Sequence, residues 1–146
     1  MISTAERNLA PTAASIANVA RSDDQNRPDS GSVTSLDLLV LRCSDIDATR
    51  AFYELIGITF DREQHDAGPE HYAAKLDEFT IELYPASPAR PPEAGLRIGL
   101  RVNDVDRVGA TLRAAGHQER DAPGSRSFLD PDRRIAVITG GPSTDG

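Results

Sequence analysis

Two stretches of the chain, residues 38–43 and 96–102, are short, apolar and rich in β-formers, and each is followed by apolar residues at helical spacing. Ala48, Phe52 and Leu55 mark the first helix; Val105, Val108, Leu112 and Ala115 mark the second. Asp45 and Asp104 stand where an N-cap carboxylate accepts an orphan helix N–H. Gly57 and Gly116 stand where a left-handed residue ends the helix. After each helix come further strand candidates: residues 59–65, 71–76 and 79–84 in the first half, and 117–120, 125–129 and 134–138 in the second.

The two halves align on one another without a gap. Leu41, Arg42, Asp45, Asp47, Ala51 and Gly57 match Leu100, Arg101, Asp104, Asp106, Ala110 and Gly116 by identity, and Leu39/Ile98 and Ile46/Val105 are conservative pairs. A duplication that also preserves element boundaries predicts two βαβββ units. Module one spans residues 35–86 and module two residues 94–139, joined by a Pro-rich linker at 85–92. Before them, residues 1–34 are dominated by small and polar residues. Their apolar content is too sparse to offset the entropy of ordering, so disorder is expected there, with at most a weak helix over residues 13–20. Residues 140–146 read as a frayed tail.

The chain has 146 residues, Lys+Arg 16 against Asp+Glu 23, and a formal net charge of −7. An acidic balance without a basic cluster disfavours binding to nucleic-acid backbones and to anionic membrane surfaces. No apolar run approaches the roughly 20 residues needed to cross a bilayer. The acidic, unbroken-apolar-free start argues against a secretory or transit segment, so a cytoplasmic location is expected. Cys43, without a second thiol, has no disulfide partner and reads as a buried strand residue.

The tandem βαβββ repeat, with Phe52-Tyr53 in its first helix, Val102-Asn103-Asp104-Val105-Asp106 opening its second and Asp130-Pro131-Asp132 before its last strand, resembles the vicinal-oxygen-chelate superfamily. That superfamily includes glyoxalase I, the bleomycin- and fosfomycin-resistance proteins and the extradiol dioxygenases. Gly68-Pro69-Glu70-His71-Tyr72-Ala73 further looks like a glyoxalase-like subset. The resemblance spans residues 36–139. It implies an α+β fold, two tandem βαβββ modules forming a cup-shaped mixed β-sheet with helices on the outer face. It does not imply a reaction.

In metal-using members, four ligands enter the cup from the first and fourth strands of each half. Here those positions fall on Leu38, Glu82, Arg97 and Ala136 or a neighbour. Leucine offers no lone pair and a guanidinium is cationic, so no family-type metal centre and no metal cofactor are expected. A rearranged site using Glu82 with His71 is the remaining metal route.

A two-residue turn at Asp77 and Glu78 would pair Leu76 with Phe79, Ala73 with Glu82 and His71 with Tyr84. Tyr72, Ala74, Leu76, Phe79, Ile81 and Leu83 then face the helices, while His71, Ala73, Lys75, Thr80, Glu82 and Tyr84 face the cup. The same alternation sends Leu38, Val40, Arg42, Arg97, Gly99 and Arg101 to the cup, with Ala136 as apolar lining. Arg97 is expected to pair with Glu82, whereas His65 and His117 are expected to be solvated. The resulting expectation is a metal-independent small-molecule binder with Leu38, Arg42, His71, Tyr84, Arg97 and Arg101 as contact residues. The ligand is expected to be anionic or carbonyl-bearing, and a homodimer suits a pocket open on one side. The alternatives are a glyoxalase-type lyase or isomerase with Glu82 as acid/base, and an interaction module that docks a partner through residues 1–34.

Overall fold

The computed structural model describes residues 31–120 and 126–141. Residues 1–36 and 37–146 form separate units, and in the first of them the described residues 31–36 carry no helix or strand. The disorder expected for residues 1–34, the weak helix over 13–20 and most of the C-terminal tail lie outside the described residues.

The order of elements is the one the duplication predicts. Module one comprises β1 (Leu38–Cys43), α1 (Ile46–Ile56), β2 (Asp61–Glu63), β3 (His71–Leu76) and β4 (Phe79–Pro85). Module two comprises β5 (Arg97–Val102), α2 (Val105–Ala114), β6 (Glu119–Arg120), β7 (Arg126–Leu129) and β8 (Ile135–Gly140). This is an α+β fold whose strands divide into two four-stranded mixed sheets, ordered β1-β4-β3-β2 and β5-β8-β7-β6. In each sheet the first strand runs parallel to the fourth and the remaining pairs are antiparallel. The second strands are shorter than the sequence pattern suggests. Ile58 and Phe60 enter the core from irregular backbone instead of from a ladder.

Both helices start at the expected aspartates. Asp45 accepts from the backbone N–H of Asp47 and Ala48, and Asp104 from that of Arg107. Both end in paired backbone bonds around a left-handed glycine: Gly57 (φ 118°) with Ile58 N–H to Tyr53 O, and Gly116 (φ 89°) with His117 N–H to Leu112 O. The buried stripe of α1 is Thr49, Phe52, Tyr53 and Ile56, rotated from the expected Ala48, Phe52 and Leu55. The rotation brings the Tyr53 hydroxyl to a partner in module two. In α2 Leu112 is buried as expected, but Ala115 is exposed and Gly109 takes a buried position. His117, expected to be solvated, lies edge-on to Phe52 at 4.8 Å between ring centroids.

A buried ionic cluster joins the modules. Arg134, with 0% exposure, donates to Asp130 at 3.0 Å and to Glu93 at 3.0 Å, and its guanidinium also donates to the Arg42 carbonyl. Tyr53 of α1 donates to the second module's Asp130 at 2.8 Å. Asp132 accepts from the Ser44 hydroxyl at 2.6 Å, and Glu93 accepts from the Arg42 N–H. Burial opposes the Arg134 charge, but the hydrogen bond and charge of Asp130, with Glu93, outweigh it and hold the guanidinium protonated. The Asp130-Pro131-Asp132 turn is therefore the piece of module two that grips the end of β1 and the flank of α1.

Candidate functional site

The hairpin register matches the expected one. Leu76 pairs with Phe79, Ala73 with Glu82 and Tyr72 with Leu83, while β1 sets Val40 against Glu82 and Arg42 against Tyr84. On the second strand Glu63 lies opposite His71. Period-two alternation then puts one residue from each strand into a row across the sheet: Arg42, Tyr84, His71 and Glu63. The other face holds Leu41, Cys43, Tyr72, Ala74, Ile81 and Leu83, all buried in the core.

The row is packed from end to end. The Arg42 guanidinium lies over the Tyr84 ring at 4.9 Å, and Tyr84 stacks on His71 at 4.1 Å with 10° between planes. His71 Nε2 is 3.5 Å from Glu63 Oε2 and 3.8 Å from Glu82 Oε2. His71 is only 1% exposed, and its Nε2 has no hydrogen-bond partner. Its Nδ1 is 3.3 Å from the Pro69 carbonyl. Burial, and then the neighbouring Glu82 carboxylate, raise the Tyr84 pKa, so the phenol is a neutral hydrogen-bonding group.

Of the sequence-predicted residues, the structure brings Arg42, His71, Glu82 and Tyr84 together. The Glu82–Arg97 ion pair is not formed: among the described residues Glu82 lies beside His71, 3.8 Å from its Nε2, and Arg97 is exposed at the start of β5. Leu38 is 51% exposed on β1. Arg101 lines a separate cleft of about 340 Å³ bounded by Ile56, Gly57, Ile58, Leu76, Gly99, Leu100 and Val102. Ala136 does not line the cup. It pairs with Ile98 and is fully buried in the core, while Arg97 and Gly99 pair with Ile135 and Val137.

By the internal repeat, the partner of Val40 is Glu82 and the partner of Gly99 is Val137, so the eighth-strand counterpart of Glu82 is a valine. The four positions that the resemblance assigns to metal ligands then fall on Leu38, Glu82, Arg97 and Val137, one donor among four. This set does not fit the superfamily's metal centre.

Sequence reasoning did not single out Glu63 and expected His65 to be solvated, as its exposed side chain is. Glu63 ends the short β2 and His65 lies two residues beyond it, with His65 Nε2 4.0 Å from Glu63 Oε2. The signal was an acid at the end of a strand, a histidine two residues further on, and a histidine opening the partner strand.

The model of the Glyoxalase/Bleomycin resistance protein/Dioxygenase superfamily matches residues 35–136. Among curated proteins, none matches the sequence. Among solved structures, the chain is similar to TnmS3, an antibiotic binding protein from Streptomyces sp. CB03234, with 22% identity, TM-score 0.60, 76% of this chain covered and 98% of that one. It is also similar to a glyoxalase/bleomycin resistance protein from the same Streptomyces, with 25% identity, TM-score 0.55 and coverage of 72% and 99%. A superfamily member from Sphaerobacter thermophilus aligns at 20% identity, TM-score 0.56, covering 75% of this chain and 98% of its own.

Proposed function

The chain belongs to the glyoxalase/bleomycin resistance protein/dioxygenase superfamily, and on that premise we propose that it binds a small anionic or carbonyl-bearing molecule on the cup face of module one. The observation that carries this reading is Arg42. Its guanidinium is held over Tyr84 and, among the described residues, has no carboxylate within ion-pair distance. A guanidinium held over an aromatic ring has its N–H groups available for a planar oxygen acceptor. Tyr84, kept neutral, supplies a hydroxyl beside it. The antibiotic-binding relative supports a small molecule as the ligand.

Binding on these terms uses no metal at the four superfamily positions, because three of them hold Leu38, Arg97 and Val137. Arg97 and Arg101 then add positive potential outside the row instead of contacts within it. The protein acts in the cytoplasm, a reading supported by its single buried thiol, and as a homodimer. In support of the dimer, β1 is the outer strand of its sheet and carries the half-exposed Leu38. Sedimentation at micromolar concentration tests the dimer. A thermal-shift panel of aromatic carboxylates, phosphates and aliphatic or aromatic cations tests the ligand class: stabilisation by the first two supports the reading, and stabilisation by cations alone contradicts it.

A second reading is favoured by the 3.8 Å approach of Glu82 to His71. In it Glu82 moves a proton at a carbon beside a carbonyl, Arg42 and Tyr84 hold the developing oxyanion, and the protein is a lyase or isomerase.

A further inference from the structure

We propose that Glu63, His65 and His71 form a site for one divalent transition-metal ion of the zinc class, with a coordination position left open beside Glu82. The three side chains each place a ligand atom within 4.8 Å of the other two. They come from two adjoining strands for a simple reason. Glu63 and His71 are direct cross-strand partners, and His65 follows Glu63 by two residues, where the chain leaves β2.

The geometry is close to what a tetrahedral ion needs. Metal–nitrogen and metal–oxygen distances near 2.1 Å put neighbouring ligand atoms about 3.4 Å apart. His71 Nε2 and His65 Nε2 stand 3.5 Å and 4.0 Å from Glu63 Oε2. The exposed His65 and the half-buried Glu63 have room to rotate toward a shared ion, whereas His71 is held by its stacking on Tyr84.

An independent observation points to a cation at this place. His71 is almost wholly buried, yet its Nε2 makes no hydrogen bond while carboxylate oxygens of Glu63 and Glu82 flank it at 3.5 Å and 3.8 Å. These separations are too long for hydrogen bonds. In the tautomer that donates Nδ1–H to Pro69 O, Nε2 directs its lone pair toward two anionic oxygens, an arrangement that a cation held among the three relieves. A ring nitrogen fixed by a backbone carbonyl, with the ring plane fixed by Tyr84 stacking, is how proteins orient a ligating imidazole. Two imidazoles with one carboxylate suit zinc, nickel or cobalt better than magnesium or calcium. Three protein ligands leave a fourth position for water or an oxygen ligand.

This site is displaced from the four superfamily positions and shares none of its three ligands with them. It also stands independently of the small-molecule reading, since its test uses metal alone.

The full chain, stripped with a chelator, is titrated with Co(II) followed by visible absorption and with Zn(II) by calorimetry. The expected result is one equivalent bound with the bands of a four-coordinate Co(II) ion, and a Tm raised by Zn(II). His65→Ala alters an exposed side chain and Glu63→Gln is isosteric at a half-buried one, so both should retain the fold while weakening binding by at least about 10-fold, the scale at which lost supporting groups already act. His117→Ala, outside the cluster, should bind as the parent does. The proposal is overturned if the parent chain binds no stoichiometric metal, or if His65→Ala and Glu63→Gln bind it as tightly as the parent.

Discussion

Tyr53 on α1 donates its hydroxyl to Asp130 at 2.8 Å, and so one residue of the first half-domain closes the hydrogen-bond set of a buried carboxylate in the second. The same carboxylate holds Arg134 at 3.0 Å with both side chains fully buried. Apolar contact alone does not set how the halves meet; a small ionic network fixes them in register.

Tyr53→Phe removes that bond and leaves the ring volume in place. Hydrogen bonds to charged groups contribute about 1.5–3 kcal/mol, and a loss in that range is expected in urea unfolding. A change below about 0.5 kcal/mol would mean that Asp130 is satisfied without Tyr53.

The same residue makes stability depend on alkaline pH. Burial, and then the Asp130 charge and hydrogen bond, raise the Tyr53 pKa above its ordinary 10.0. Below about pH 10 the phenol is neutral in both folded and unfolded chains, and its contribution is complete. Above that the unfolded phenol ionises while the folded one resists, so stability falls by up to about 1.4 kcal/mol per pH unit until the folded pKa is reached. The advantage of the parent over Tyr53→Phe should therefore shrink as pH rises through about 10. Parallel pH profiles would contradict this.

Arg134→Met strands Asp130 and takes one partner from Glu93 and Asp132. Breaking a buried pair on one side costs about 3–5 kcal/mol, and the variant is expected to unfold at much lower urea concentration. If it does not accumulate, Arg134→Lys serves instead. It keeps the charge but loses the fork that reaches Asp130, Glu93 and the Arg42 carbonyl together, and should lose a smaller, measurable part of that stability.

Much of the fold was legible because a duplicated pattern of strands, caps and left-handed glycines is local information. Asp45, Asp104 and Gly57 each dictate their own element, and the alternation in β3 and β4 fixed their register. Cys43 is buried in its strand as expected, with its thiol pKa raised by burial. What was not legible depends on how elements meet in space. Arg134 and Glu93 carry no local signature, and their roles appear only when the Asp130 turn reaches β1. The Ala136 position was misassigned because the tight Asp130–Arg134 turn shifts the alternation of β8 by one residue. Glu63 was overlooked because β2 is short, and the approach of Glu63 and His65 to His71 depends on the ladder between β2 and β3.

Glu82→Gln separates the two functional readings. If the protein only binds, ligand affinity should change less than about 10-fold, in line with loss of one neutral-to-charged contact. If Glu82 moves a proton, turnover of a carbonyl substrate should fall by about 10²–10⁴ with binding retained.

The most direct test of the central claim is a crystal structure of the full chain with the compound that most raises its Tm. The ligand is predicted to place a carboxylate, phosphate or carbonyl oxygen within hydrogen-bond distance of the Arg42 guanidinium and the Tyr84 hydroxyl. A ligand seated instead in the cleft between Ile58, Leu76 and Leu100, with Arg42 and Tyr84 untouched, would contradict the account.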